Sequence, residues 1–327
     1  MSIDFTVAIP TYNGADRLPQ ILERLRSQTH IDQLSWEIII VDNNSTDNTA
    51  QVVENHQADW PPEIPLRYCL EPKQGAGFAR QHAIQVAQGE LVGFLDDDNW
   101  PAPNWIGAAL SFAQTHPQAG AYGSKIHGNF EVNPPPELKK MLFYLAIVDR
   151  GPAPLQYNPR QKGTPPSAGL VVRRQAWSDN VPKQQFFTGR TGSILVASED
   201  EEALLYIHRA GWEIWYNPEM EIEHCISANR FEKRYFITLM RSIGLSRHHF
   251  RMFCLHPWQR PPAFLLYFAN DLRKLLLHLI RYRQVMDNDI AATCERERLY
   301  GTLISPFYTW KMRLDRLLKP SRSEQGN

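Results

Sequence analysis

Three carboxylates in succession, Asp96-Asp97-Asp98, follow an apolar run from Leu91 to Leu95. Adjacent like charges repel and raise one another's pKa, so such a run is best sustained where a divalent cation or a set of donors neutralises it. A hard cation bridging to phosphate oxygens is the simplest partner of that kind. A turn accounts for one Asp here, with Pro101 and Pro103 opening a loop just beyond, but not for three. A second acidic group, Glu199-Asp200-Glu201-Glu202, opens a helix predicted from Ser198 to Ala210. Carboxylates at a helix start also complement its dipole, so catalysis and capping are both open for any one of them.

The elements that must position these acids alternate between strand and helix patterns. Ile3 to Ile9 reads as a strand stopped by Pro10 and turned at Asn13-Gly14, and Ala15 to Gln28 has helical spacing through Leu18, Ile21, Leu22 and Leu25. Trp36 to Val41 is a second strand, followed by a helix from about Thr46 to His56; Leu66 to Leu70 is a third, and Lys73-Gln74-Gly75-Ala76-Gly77 opens the next helix. Glu90 to Leu95 is the fourth strand. Such units predict a mostly parallel sheet with helices on both faces, and they deliver their loops to one edge, outside the carboxyl ends of the strands, where ligands of open α/β sheets gather. Pro103 to Thr115 is a further helix and Ala119 to Tyr122 a strand, with an irregular region from Gly128 to Thr164. Ser167 to Arg174 returns to strand character, and Glu213 to Tyr216 and Met220 to His224 read as two short strands around Asn217-Pro218.

Composition narrows the classes further. The chain of 327 residues carries 35 Lys plus Arg against 35 Asp plus Glu, so no global field favours nucleic acid. Its four cysteines, Cys69, Cys225, Cys254 and Cys294, form no Cys-x-x-Cys pair, which fits a reducing cytoplasm and neither a zinc knuckle nor a disulfide framework. The N-terminus lacks the basic and apolar regions of a secretory signal, and no uncharged apolar run approaches the roughly 20 residues of a membrane span.

Several landmarks then line up in order: Val7 to Gly14, Val41 to Asp47, Gly75 with Arg80, Asp96-Asp97-Asp98, Glu199-Asp200, and Gly211-Trp212 leading to His224. Together they resemble a family 2 glycosyltransferase of the GT-A fold, over roughly residues 1 to 226. The resemblance implies a nucleotide-diphospho-sugar transferase domain at 1–226, a C-terminal helical extension at 227–320 and a flexible tail at 321–327. It also implies that Pro10, Thr11, Tyr12 and Asn13 line the nucleotide base pocket and that Asp42 hydrogen-bonds the base. Asn44, Gly75 and Arg80 would lie beside the base or phosphates. By the same likeness Asp96 holds the ribose side of the donor, Asp97 is an extra charge near it, and Asp98 binds Mn²⁺ or Mg²⁺ with His224 as a further ligand. Gly169, after Ser167-Ala168, would wall the donor sugar. Asp200 would be the general base of an inverting transfer, supported by Glu199. Ser198 departs from the family pattern, which commonly has Gly there, and Glu201-Glu202 adds charge. The donor expected is a nucleoside diphosphate sugar, UDP by family habit, and the acceptor a saccharide or lipid-linked hydroxyl in polysaccharide biosynthesis.

Two rival classes remain at this level. A sugar nucleotidyltransferase would place a Gly-rich phosphate loop with Arg or Lys after the first strand, whereas Pro10-Thr11-Tyr12-Asn13 stands there. A non-catalytic saccharide-binding protein would have no need of Asp98 and Asp200. Beyond Asn229 no family motif carries over. The basic and aromatic helical patterns there, including Phe264 to Tyr282, suit either packing, on the sheet or on a second copy, or peripheral contact with the inner face of a plasma membrane.

Overall fold

The computed structural model describes residues 3–31, 34–159, 163–189, 196, 198–284 and 289–318. They fall into two compact units, the first within Met1–Pro134, Lys139–Ile194 and Ser198–Ala228, the second within Pro135–Leu138, Leu195–Ala197 and Asn229–Asn327.

The first unit begins with the expected alternation: β1 (Phe5–Thr11), α1 (Leu18–Arg26), β2 (Trp36–Asp42), α2 (Thr49–Ala58), β3 (Leu66–Leu70), α3 (Ala76–Val86) and β4 (Leu91–Phe94). Then come β5 (Asn99–Pro101), α4 (Trp105–Thr115), β6 (Ala119–Phe130), β7 (Leu155–Gln156), β8 (Leu170–Arg173), α5 (Arg174–Asn180), α6 (Glu199–Arg209) and β9 (Glu213–Ile226). Among the described residues these strands form one sheet in the order β3-β2-β1-β4-β8-β6-β9-β5, with β7 on β9. The stretch β3-β2-β1-β4 is parallel, whereas β8 runs antiparallel to both β4 and β6, so the parallel order ends where the acidic run leaves β4.

Alternation along the strands divides the core between two layers. Phe5, Val7 and Ile9 of β1 face the leucines of α1 and Trp105 of α4, while Ala8, with Val92 and Phe94, faces Ala79 and Ala83 of α3 and Leu204 of α6. Each such aliphatic or aromatic side chain contributes about 1.5–3 kcal/mol by leaving water. Both layers grip the ends of the same strands, which fixes the loops at their carboxyl ends.

Several elements differ from the sequence reading, the short β5 and β7 among them. β6 continues to Phe130, because its polar half is paired across to β9 through His127 with Glu221 and Asn129 with Glu223. β9 is one strand rather than two; a register shift between Ser124 and Lys125 absorbs Asn217-Pro218. α5, with only Ala176 and Trp177 buried, offers too little apolar periodicity to be read as a helix.

The second unit holds α7 (Lys233–Phe253), α8 (Arg260–Tyr282) and α9 (Ile290–Leu318). α7 and α9 approach closely at two glycines: a Cβ on Gly244 would lie 2.4 Å from the Arg298 carbonyl oxygen. Arg251 of α7 grips buried Asp271 of α8 through both guanidinium nitrogens, at 2.5 and 3.0 Å.

Candidate functional site

The loops after β1 and β2 are pinned to each other before they reach solvent. Asn13 and Asn44 both adopt left-handed backbone (φ 49° and 64°), which Asn tolerates better than most residues. Asn13 donates its backbone N–H to Ser45 Oγ at 2.9 Å and accepts from Thr46 N–H at 2.8 Å. Asp42 is buried, accepting from Ser45 N–H at 2.8 Å and from the Tyr68 hydroxyl at 2.7 Å. Burial and the Asp42 carboxylate push the Tyr68 phenol up to about 12. Asp42 thus braces the loop on which exposed Asn44 sits.

Gly75 is tied into the same edge. Its N–H donates to Asn43 Oδ1 at 2.6 Å, its φ is 136°, and a Cβ there would lie 2.2 Å from the Thr188 carbonyl oxygen. Only glycine fits that conformation and that approach. Pro10 and Thr11 at the end of β1 are buried, while Tyr12 just beyond it is half exposed.

The three aspartates take three different directions. Asp97 accepts from Thr11 Oγ1 at 2.5 Å and from Arg17 at 2.8 and 2.9 Å, so it anchors the first loop to the end of β4. The sequence offered no sign of Arg17, whose place beside Asp97 depends on where α1 starts. Asp96 accepts from Arg80 Nη2 at 3.0 Å. Partial loss of water raises its pKa and the Arg80 charge opposes that rise, while 36% of its side chain stays exposed. Asp98 meets His224 on the neighbouring strand pair, with His224 Nε2 and Asp98 Oδ2 3.5 Å apart.

Asp98 and His224 have the geometry of two ligands to one cation. His224 Nδ1 lies 2.9 Å from the Leu145 carbonyl oxygen, which only accepts, so Nδ1 carries a proton and Nε2 is the ring nitrogen that faces Asp98. A metal ion or a second ring proton between Nε2 and the carboxylate would join the two. Among the described residues no cluster of three or more His, Cys, Asp or Glu converges on one point. One carboxylate and one imidazole would leave most positions of a bound divalent ion to water or phosphate oxygens.

Arg80 was expected beside the base or phosphates; the structure instead buries it as a bridge between the two acidic groups. Its guanidinium is 2.6 Å from Glu199, 3.0 Å from Asp96 and 3.0 Å from Ser167 Oγ. Buried next to Asp96, Glu199 and Asp200, it stays charged throughout the accessible pH range. Asp200, one residue along α6, accepts from Ser167 N–H at 3.1 Å and Glu201 N–H at 2.8 Å. Burial, then the Glu199 charge, raises its pKa, against the pull of Arg80. Glu202, which the sequence left as a helix-start charge, accepts from the N–H groups of Phe186 and Phe187 and holds that segment to α6. Gly169, at φ 66°, would place a Cβ 2.5 Å from Ser124 Oγ, so it packs against β6.

Asp200 and Glu201 line one wall of a cavity of about 550 Å³ whose other walls are 143–144, 146–150 and 164–166. Phe143 and Tyr144 lie 3.9 Å apart between ring centroids at its rim. The long segment between β6 and β8 thus supplies most of this lining, which loop composition alone could not foretell.

Curated relatives match about a third of this chain. TuaG of Bacillus subtilis is 38% identical over 96 residues, which is 29% of this chain and 36% of TuaG. The poly(ribitol-phosphate) beta-N-acetylglucosaminyltransferase TarS of Staphylococcus aureus is 31% identical over 112 residues, 34% of this chain and 19% of TarS. The matched stretch therefore spans well under half the length of either relative. In overall fold, the crystal structure of S. aureus TarS 1-349 in complex with UDP superposes with a TM-score of 0.51 at 17% identity, covering 94% of this chain and 92% of that one. The mannosyltransferase PcManGT from Pyrobaculum calidifontis, in complex with GDP-Man and Mn²⁺, gives a TM-score of 0.59 at 17% identity over 94% and 88% of the two chains. The likeness to both is one of fold, the GT-A arrangement of a central sheet flanked by helices. The profile described as glycosyl transferase family 2 matches residues 6–175, more than half of the sequence, and on that match the chain belongs to this family.

Proposed function

We propose that this chain is an inverting glycosyltransferase that moves a sugar from a nucleoside diphosphate donor to a hydroxyl of a saccharide or lipid-linked acceptor in polysaccharide or glycan biosynthesis. The observation that carries the reading is the Arg80 bridge, which holds the acidic end of β4 and the start of α6 in one fixed relation. Donor chemistry belongs on the first side and acceptor chemistry on the second.

On the donor side, Tyr12, Asn13 and Asn44 frame the nucleotide on a preformed edge, and Asp96 faces the ribose. Asp98 and His224 would hold Mn²⁺ or Mg²⁺, which when bound neutralises the charge of the departing diphosphate. The neighbours support a donor of this class, since TarS has been crystallised with UDP and with UDP-GlcNAc, and PcManGT with GDP-Man and Mn²⁺. UDP is the expected nucleotide.

On the acceptor side, the cavity beside Asp200 receives the hydroxyl-bearing sugar, with the Phe143–Tyr144 rings as an apolar surface for one of its faces. Asp200 takes the hydroxyl proton as the oxygen bonds to the anomeric carbon, and the bond to the diphosphate oxygen breaks on the opposite face. One carboxylate suffices for inversion. The raised pKa of Asp200 makes it a stronger base than an exposed aspartate, and its two backbone N–H partners fix its direction. Among relatives, TarS is named for poly(ribitol-phosphate), and a Campylobacter jejuni protein, 35% identical over 96 residues, for GalNAc(5)-diNAcBac-PP-undecaprenol.

The test is a thermal-shift screen of nucleoside diphosphates and their sugars with and without Mn²⁺, followed by assay of diphosphate release. A metal-dependent shift with one nucleotide, retained in Asp98-intact Asp200→Asn protein that no longer transfers, is the expected result. Absence of any nucleotide-dependent shift would remove the reading.

A further inference from the structure

The second unit carries an exposed apolar surface of its own. On α8 the buried seam is Phe264, Phe268, Asp271 and Leu275: Asp271 and Leu275 are enclosed, Phe264 packs on Trp310 at 5.6 Å and Phe268 on Phe307 at 6.1 Å. At 100° per residue, Leu266, Leu276, Leu277 and Ile280 fall on the other side, with Leu265 and Leu272 on its flank. They stand in solvent, with Leu266 at 72%, Ile280 at 70% and Leu265 at 66% exposure. Single exposed leucines are ordinary on a protein surface; a contiguous stripe along a helix about 34 Å long is not. Trp258, 75% exposed, stands just before the helix starts.

The charges around the stripe say what covers it. α8 carries Arg260, Arg273, Lys274 and Arg281 and a single acid, Asp271, which is buried and held by Arg251. Arg273, Lys274, Arg281 and Arg283 are all exposed. Arg273 projects within the leucine stripe, while Lys274 and Arg281 border it. A second copy of this helix brought face to face would set cation against cation. An anionic lipid surface meets both features at once, acyl chains taking the leucines and head groups the cations. No helix of the described residues is long and apolar enough to cross a membrane, so the geometry is that of a helix lying in the interface plane.

We propose that α8 is an in-plane docking helix for an anionic phospholipid surface, with Leu265, Leu266, Leu276, Leu277 and Ile280 inserted and Arg273, Lys274 and Arg281 on the head groups. This inference is independent of the transfer reaction. The experiment is co-sedimentation of the full chain with vesicles of phosphatidylcholine alone and of an equal mixture with phosphatidylglycerol, beside light scattering of the free protein. Wild type pellets with the anionic vesicles at least about tenfold more tightly than with the neutral ones, and added salt weakens it. Leu266→Glu and Leu277→Glu each lower the partition roughly tenfold, and Lys274→Glu/Arg281→Glu removes the preference for anionic lipid. All four positions are exposed, so circular dichroism of the variants stays that of wild type. Wild type left in the supernatant, or leucine variants that pellet like wild type, overturns the proposal. So does a dimer in solution that Leu266→Glu dissociates without any vesicle binding, which would assign the stripe to a second copy.

Discussion

Replacing Arg80 by Met tests whether the two acidic groups are held by one buried cation. The Arg80 side chain is 5% exposed and Glu199 6%, at 2.6 Å, and Met preserves much of the volume while deleting the charge and every donor. Glu199 then keeps only the Ser198 N–H, at 2.9 Å, as a partner for its other oxygen. Breaking a buried pair from one side costs about 3–5 kcal/mol, because the remaining charge stays desolvated. The exposed half of the bridge, to Asp96 at 36% side-chain exposure, adds little to that figure. The double variant Arg80→Met/Glu199→Gln removes both charges and should recover about half of the loss or more. Urea unfolding of the four proteins of this cycle, followed by circular dichroism, measures the coupling. A loss below about 1 kcal/mol in Arg80→Met, or no recovery in the double variant, would refute the claim that this ion pair fixes the relation of β4 to α6.

Three further outcomes follow from the same geometry. Asp200→Asn should leave the donor dissociation constant unchanged and lower kcat by roughly 10²–10⁴, read by diphosphate release. Its stability relative to wild type also has a sign: Asp200 has a raised pKa, so the folded protein holds the proton over a window above the ordinary aspartate pKa. The stability it contributes is complete below that pKa and lost as pH rises through the folded value, so the wild-type advantage over Asp200→Asn shrinks on going from acid to neutral pH in thermal unfolding. His224→Ala should weaken Mn²⁺ binding in the presence of nucleoside diphosphate by about 10–100-fold in a titration, and an unchanged affinity would detach His224 from the metal. Gly75→Ala, at φ 136° with a carbonyl oxygen 2.2 Å from the new methyl, should cost at least about 1–3 kcal/mol in denaturant unfolding, with a raised KM for the donor.

The parallel half of the sheet was legible because β1, β2 and β4 are buried on both faces and read as unbroken apolar runs bounded by Pro10, the Asp42 loop and Asp96. The Asp42 loop and the Asp96 to Asp98 run were legible for the same reason, since each falls where a strand ends, whereas Glu199-Asp200 opens α6. What stayed hidden is the sharing of partners between distant loops. Nothing in the sequence near Asp97 announces Arg17, 80 positions earlier, and nothing near Arg80 announces Glu199, 119 positions later. A charged side chain looks the same in sequence whether it awaits a ligand or already holds a neighbour. Arg80 and Asp42 therefore read as ligand contacts, while folding encloses both.

That enclosure changes how the site works. Asp42, Asn43, Asp97 and Arg80 have hydrogen bonds inside the protein, while Tyr12 and Asn44 are exposed and Asp96 and Asp98 partly so. On the proposed reading, a nucleotide meeting such an edge does not have to order the loops first, so the conformational entropy of ordering them falls on folding and not on binding. Affinity then depends more on the bracing residues than their lack of ligand contact suggests. Loosening Arg17 from Asp97 would free the first loop and weaken donor binding without removing a single atom that the donor touches.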